Sequence, residues 1–164
     1  MNKVKSFEVR FEMKKKKDRH IIRKIKYYGK DILSSKNMQD TKRIPHHGQI
    51  SVYEHCISVT YVSLLICQTL HLRIDEKSLI RGALLHDYYL YDWHVAEHWH
   101  RFHGFRHPGF ALKNAMEEYE LNMIEQNIIR RHMFPLTLVP PCCLESFIVC
   151  AADKMCAVYE IFRL

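Results

Sequence analysis

The stretch Gly82-Ala-Leu-Leu-His-Asp87, followed by YYLYDW to Trp93, decides how this chain is read. It begins as a buried helix, with Leu79 and Ala83 leading along one face to His86, and Ile80 and Leu84 leading along the next to Asp87. Two polar residues therefore stand where the apolar pattern calls for more carbon. Either they cap a helix end, or they are held in the interior by partners from elsewhere in the chain.

Those partners can be sought on neighbouring helices. Val52, Val59, Val62 and Ile66 form a helical stripe over Ser51 to His71, and His55 falls on it. Ser51 with Glu54 three residues on resembles a capping box, and Asp75 suits the N-cap of the helix that ends at His86. Near the C-terminus Asp153 shares a face with Val149, Cys156 and Ala157. A buried carboxylate without a partner would cost many kcal/mol or take up a proton. A divalent metal at the centre of a helical bundle accounts for two His and two Asp together, because neutral imidazoles and ionised carboxylates suit Fe, Mn, Zn or Co. A buried salt-bridge cluster is the alternative. His107, beside Pro108 at an expected helix start, and His132, at the end of a helix over about 122–133, extend the set to six N/O donors, enough for two ions.

His55, His86-Asp87 and Asp153 stand in the order of the H…HD…D signature of the HD-domain superfamily of metal-dependent phosphohydrolases, which the chain resembles over roughly residues 46–164. ALLHD closing a helix, HPGFAL, IRRHM and AADK carry the resemblance, and His107 with His132 makes it similar to the H…HD…H…H…D subset. That resemblance implies an all-α helical bundle with a two-metal centre, iron first among Fe, Mn, Zn, Co and Ni. It also implies hydrolysis of a phosphate ester or anhydride, in a nucleotide or related small molecule, by attack of a metal-bridging hydroxide. In that picture Asp87 bridges, His55, His86 and Asp153 ligate one side, and His107 and His132 complete the other. Lys154 and Arg106, each beside a ligand, are candidates for contacting the phosphate. Two alternatives remain: a non-catalytic metal-containing nucleotide sensor or interaction module, and an oxygenase with a diiron pair.

The rest of the chain sets the frame. At 164 residues, 48% apolar, it has the length and composition of one globular domain. The net charge of +7 is uneven: residues 1–43 hold 15 Lys/Arg against 5 Asp/Glu, leaving 10 against 13 for 44–164. We expect a basic N-terminal extension over 1–43, with a short strand at Phe7 to Met13 and an amphipathic helix to about Ser34. SSKNMQDTKRIPHHGQ reads as a loop, and the metal-binding domain spans 44–164. KKKKDRHIIRKIK reads as a solvated helix face, with nucleic-acid contact as the alternative. Six cysteines without a CxxC, most of them among apolar residues, read as reduced thiols of a cytoplasmic protein. No apolar run reaches the ~18 residues that span a bilayer. Between the HD pair and Pro108 lies a segment of rings and histidines with a lid's composition. There Tyr88, Tyr89, Tyr91, Trp93 and Trp99 are expected to pack over the centre, Asp92 or His94 could act as a proton donor, and His94 with His98 could clamp zinc were the segment helical.

Overall fold

The structure is a computed structural model that describes residues 16–46, 50–91 and 103–162. Among the described residues eight α-helices run α1 (Lys16–Tyr28), α2 (Lys30–Ser34), α3 (Lys36–Asp40), α4 (Val52–Thr69), α5 (Glu76–Leu85), α6 (His103–Glu118), α7 (Met123–Arg131) and α8 (Leu144–Phe162), with a 3-10 turn at Thr41–Arg43. Among the described residues there is no strand, only an isolated bridge between Pro45 and Ser51. The fold is all-α, and among the described residues no helix is long and apolar enough to cross a membrane. The expected strand at Phe7 to Met13 and the expected roles of Asp92, Trp93, His94, His98 and Trp99 lie outside the described residues.

Local chemistry sets the helix starts. Ser51 Oγ accepts from the Glu54 amide while the Glu54 carboxylate accepts from the Ser51 amide, which closes a capping box on α4. Asp75 caps α5 through the Ser78 amide, and Asn122 with Glu125 repeats the box on α7. Helix α5 lies at the centre, buried on every side from Ser78 to Leu85, and packs against α4, α7 and α8. Gly82 makes the α5/α7 approach possible: a Cβ there would stand 2.6 Å from Ile128 Cδ1 and 2.9 Å from its Cβ. Gly29, where α1 gives way to α2, admits Leu84 in the same way, since a Cβ would meet its Cδ1 at 2.4 Å.

Two expectations are corrected. Of the segment 34–49, the described residues 34–46 are not a plain loop, because Ser35 caps α3 through the Met38 amide and Met38 is fully buried; one anchoring methionine outweighs the polar composition around it. Helix α6 begins at His103, a turn ahead of Pro108, which lies inside it. Pro108 there forgoes only the one amide bond that would reach Gly104.

Ile21 and Ile25 of α1, Ile32 of α2 and Met38 of α3 belong to the same buried cluster as Val59, Leu79, Leu84 and Ile128. The amphipathic reading of α1 matches: Arg19, Arg23 and Lys26 face water while Ile21 and Ile25 are buried, and Lys24 pairs with Glu76 at 2.6 Å. The six cysteines are free thiols.

Candidate metal centre

Helix ends and helix middles together bring the polar residues inward. Helix α4 presents His55 one turn from its capped start, and α8 presents Asp153 at mid-length. His86 is the C-cap of α5, so Asp87 follows with its backbone already leaving the helix, and His132 holds the same position on α7. His107 comes from α6, just before Pro108. His55 and His86 are fully buried, and Asp87, His107, His132 and Asp153 nearly so.

Four of the other side chains, His55, His86, His107 and His132, converge on Asp87, and Asp153 joins them through His55 and His86. Asp87 Oδ1 lies 3.1 Å from His107 Nε2 and 3.4 Å from His132 Nε2. Its Oδ2 lies 3.5 Å from His86 Nε2 and 3.8 Å from His55 Nε2. Asp153 Oδ1 stands 3.1 Å from His55 Nε2 and 3.8 Å from His86 Nε2, on the Oδ2 side. The imidazoles are turned by their far nitrogens. His86 Nδ1–H donates to the Ala83 carbonyl at 2.8 Å, His132 Nδ1–H to the Ile129 carbonyl at 2.9 Å, and His55 Nδ1–H to Glu160 Oε2 at 2.8 Å. With the protons placed there, the Nε2 atoms of His86 and His132 can offer a lone pair inward, and that of His55 can do so once it gives up the proton it shares with Asp153 Oδ1 at 3.1 Å, the arrangement found behind metal-bound histidines.

Burial alone would push the carboxyls of Asp87 and Asp153 up, but the imidazoles around them outweigh it and hold both well below the usual carboxylate range. Burial pushes His132 down, toward the neutral form a metal requires. Burial also opposes a charge on His55, yet its hydrogen bonds to Asp153 and Glu160 win and raise it to about 10.

Whether these donors suit a metal can be judged from what they leave undone. Among the described residues His86 Nε2 and Asp87 Oδ1 are buried without a well-aligned hydrogen bond, and His107 Nε2 faces His132 Nε2 at 2.8 Å, where at most one proton fits. Orphaned atoms of this kind are costly unless something cationic lies among them. Nitrogen and oxygen donors in this mixture suit first-row divalent ions, and the groups His55–His86–Asp153 and His86–Asp87–His132 each bring three donor atoms within 4.8 Å of one another.

The other two singled-out residues stay outside this cluster. Lys154 Nζ donates to the His132 carbonyl at 2.6 Å and to Asp153 Oδ2 at 3.2 Å, with its side chain 40% exposed. Arg106 is exposed on α6, its guanidinium carbon 5.8 Å from the Phe110 ring centre. Tyr89 is buried beside the centre, its ring 5.7 Å from that of His107, whereas buried Tyr88 turns to Glu118, its hydroxyl donating to Oε2 at 2.9 Å.

Two residues at the centre were missed. Glu160 lies seven positions after Asp153, two turns along the same face of α8, a spacing that could have flagged it. His46 sits in the polar segment before α4, where no periodicity marks it, yet it is 8% exposed with Nε2 3.7 Å from Asp87 Oδ2.

The sequence profile of the HD domain matches residues 52–158, well over half of the chain. The chain belongs to the HD domain family. Comparison with curated proteins and comparison with solved structures give no match. Members of the HD superfamily are generally metal-dependent hydrolases, and the His/Asp cluster of this HD domain fits a divalent-metal site of that kind.

Proposed function

We propose that this HD domain is a metal-dependent phosphohydrolase that cleaves an ester or anhydride bond of a small phosphorylated substrate, a nucleotide or a close relative. The observation that carries the reading is the division of Asp87. One carboxylate oxygen faces His107 and His132 and the other faces His55 and His86, as a residue shared by two ions must. Two divalent transition ions held by these residues, iron first, would supply Lewis acidity toward a phosphoryl oxygen and would make water a nucleophile near neutral pH.

The chain's own residues do the rest. His55, His86 and Asp153 hold one side, His107 and His132 the other, and the far-nitrogen hydrogen bonds keep the imidazoles oriented. Lys154 ties Asp153 to the His132 carbonyl and leaves part of its charge in water, where an anionic substrate can meet it. Arg106, one residue before His107, offers a guanidinium fork to phosphate oxygens at the rim. Tyr89 keeps water from the back of the site.

The test is metal analysis of the purified protein, followed by phosphate release from a panel of nucleotides and phosphomonoesters with and without oxygen. We expect bound transition metal, metal-dependent release that needs no oxygen, and loss of both in Asp87→Ala. A protein without transition metal and without metal-dependent turnover overturns the reading, and product formation only in the presence of oxygen transfers it to the oxygenase class.

A further inference from the structure

His46 belongs to none of the motifs that carry the family resemblance, and it precedes the matched residues 52–158. The fold nevertheless delivers it to the centre by a specific device. The His46 amide donates to the Ile50 carbonyl at 2.9 Å and the Val52 amide to the Ile44 carbonyl at 3.0 Å, so the bridge between Pro45 and Ser51 fastens the backbone around His46 to the first turn of α4. Nine residues before His55, it thus returns to lie over the His55 ring, centroids 4.0 Å apart. Its Nδ1 meets the hydroxyl of buried Tyr89 at 3.1 Å, which turns Nε2 toward Asp87 Oδ2. An imidazole aimed in this way at a carboxylate between two ions copies the arrangement of His55 and His86: far nitrogen anchored, near nitrogen inward.

Resting on the metal reading above, we propose that His46 is an additional metal ligand and that the two halves of the centre are consequently unequal. Among the described residues His46, His55 and His86 face Oδ2 of Asp87, with Asp153 beside His55 and His86, whereas His107 and His132 face Oδ1. The first set, with Asp87, nearly fills the ~6 positions that an octahedral ion offers, so an ion there is enclosed by protein. The second set, with Asp87, leaves roughly half of them for water and substrate, as a catalytic site requires. The substrate's phosphate is therefore taken on the His107/His132 side, next to which Arg106 stands on α6.

Cobalt(II) titration of the metal-stripped protein under anaerobic conditions, followed by its visible absorption, tests this without any assay of turnover. We expect two equivalents in the wild type. In His46→Gln, which keeps the bulk of the side chain, one equivalent should bind about 10–100-fold more weakly with an altered cobalt spectrum, while the other is unchanged. His132→Ala should weaken the opposite equivalent and leave the His46-dependent spectrum in place. Circular dichroism of the stripped variants checks folding, and His46→Asn serves if the glutamine variant does not fold. If the wild type binds two equivalents and the His46 variants match it in affinity and spectrum, His46 is not a ligand and the metal reading stands. If the wild type takes up no cobalt, the metal reading falls and the role of His46 falls with it.

Discussion

Individual residues at this centre act through their far atoms as much as through their near ones. Glu160 does not face the inner cluster, yet it holds the Nδ1 proton of His55 and so decides which nitrogen of that ring carries a lone pair inward. Glu160→Gln keeps the size but withdraws the carboxylate, and metal affinity should fall about 10–100-fold, read by chelator competition. The same hydrogen bond gives metal binding a pH dependence of definite sign. Hydrogen bonds to Asp153 and Glu160 overcome burial and raise His55 to about 10, so at neutral pH the metal-free ring carries a proton that a metal must displace. Affinity should therefore rise with pH toward about 10, with proton release seen by calorimetry in buffers of different ionisation enthalpy. In Glu160→Gln that release at neutral pH should shrink, because one of the interactions that hold the proton is gone.

Between helices, the decisive feature is how closely α5 can approach α7. Gly82 sits against Ile128, and the two helices end in His86 and His132, so the crossing sets the separation of ligands on opposite sides of Asp87. Gly82→Ala would force a methyl group into Ile128, and overpacking of this kind costs about 1–3 kcal/mol. That exceeds the gain of about 1 kcal/mol that alanine brings to a helix interior. We expect a net loss of stability in urea unfolding, together with weaker metal binding, because the two histidines are pushed apart. A surface substitution on α1 such as Arg23→Ala should change neither, since Arg23 is exposed.

At the scale of the whole molecule the centre is a cross-link. Its side chains come from α4, α5, α6, α7, α8 and the bridged segment before α4, so anything that binds them together binds only the folded chain. Removing the metal should lower Tm, and restoring it should recover the loss. An ion present at 1,000 times its Kd contributes about 4 kcal/mol, and a chelator-treated sample followed by calorimetry checks the difference. The N-terminal helices contribute to the same core. Ile21 is fully buried in the cluster that includes Leu84 and Ile128, so Ile21→Ala should cost about 2–5 kcal/mol although it lies far along the chain from any ligand. Equilibrium unfolding reads that cost, and a value near zero would mean that α1 is not part of the cooperative unit.

Much of this was legible in the residues alone. Helical periodicity, two capped helix starts and the apolar stripes that run into His55, His86, Asp87 and Asp153 determine an all-α bundle with polar groups in its interior, because those signals act over a few residues and depend on nothing distant. What only the tertiary structure decided is where the contacts close between remote segments. Met38 makes a helix of a segment whose polar composition reads as a loop, since one buried side chain outweighs several solvated neighbours. His46 reaches Asp87 because a backbone bridge folds it against α4, and Glu160 reaches His55 across a helix pair. The approach of His46 leaves no mark in local spacing, and that of Glu160 leaves only its place seven residues after Asp153. A ligand's far nitrogen and a loop histidine's direction are set by packing across the core, and packing is a property of the assembled helices rather than of any stretch among them.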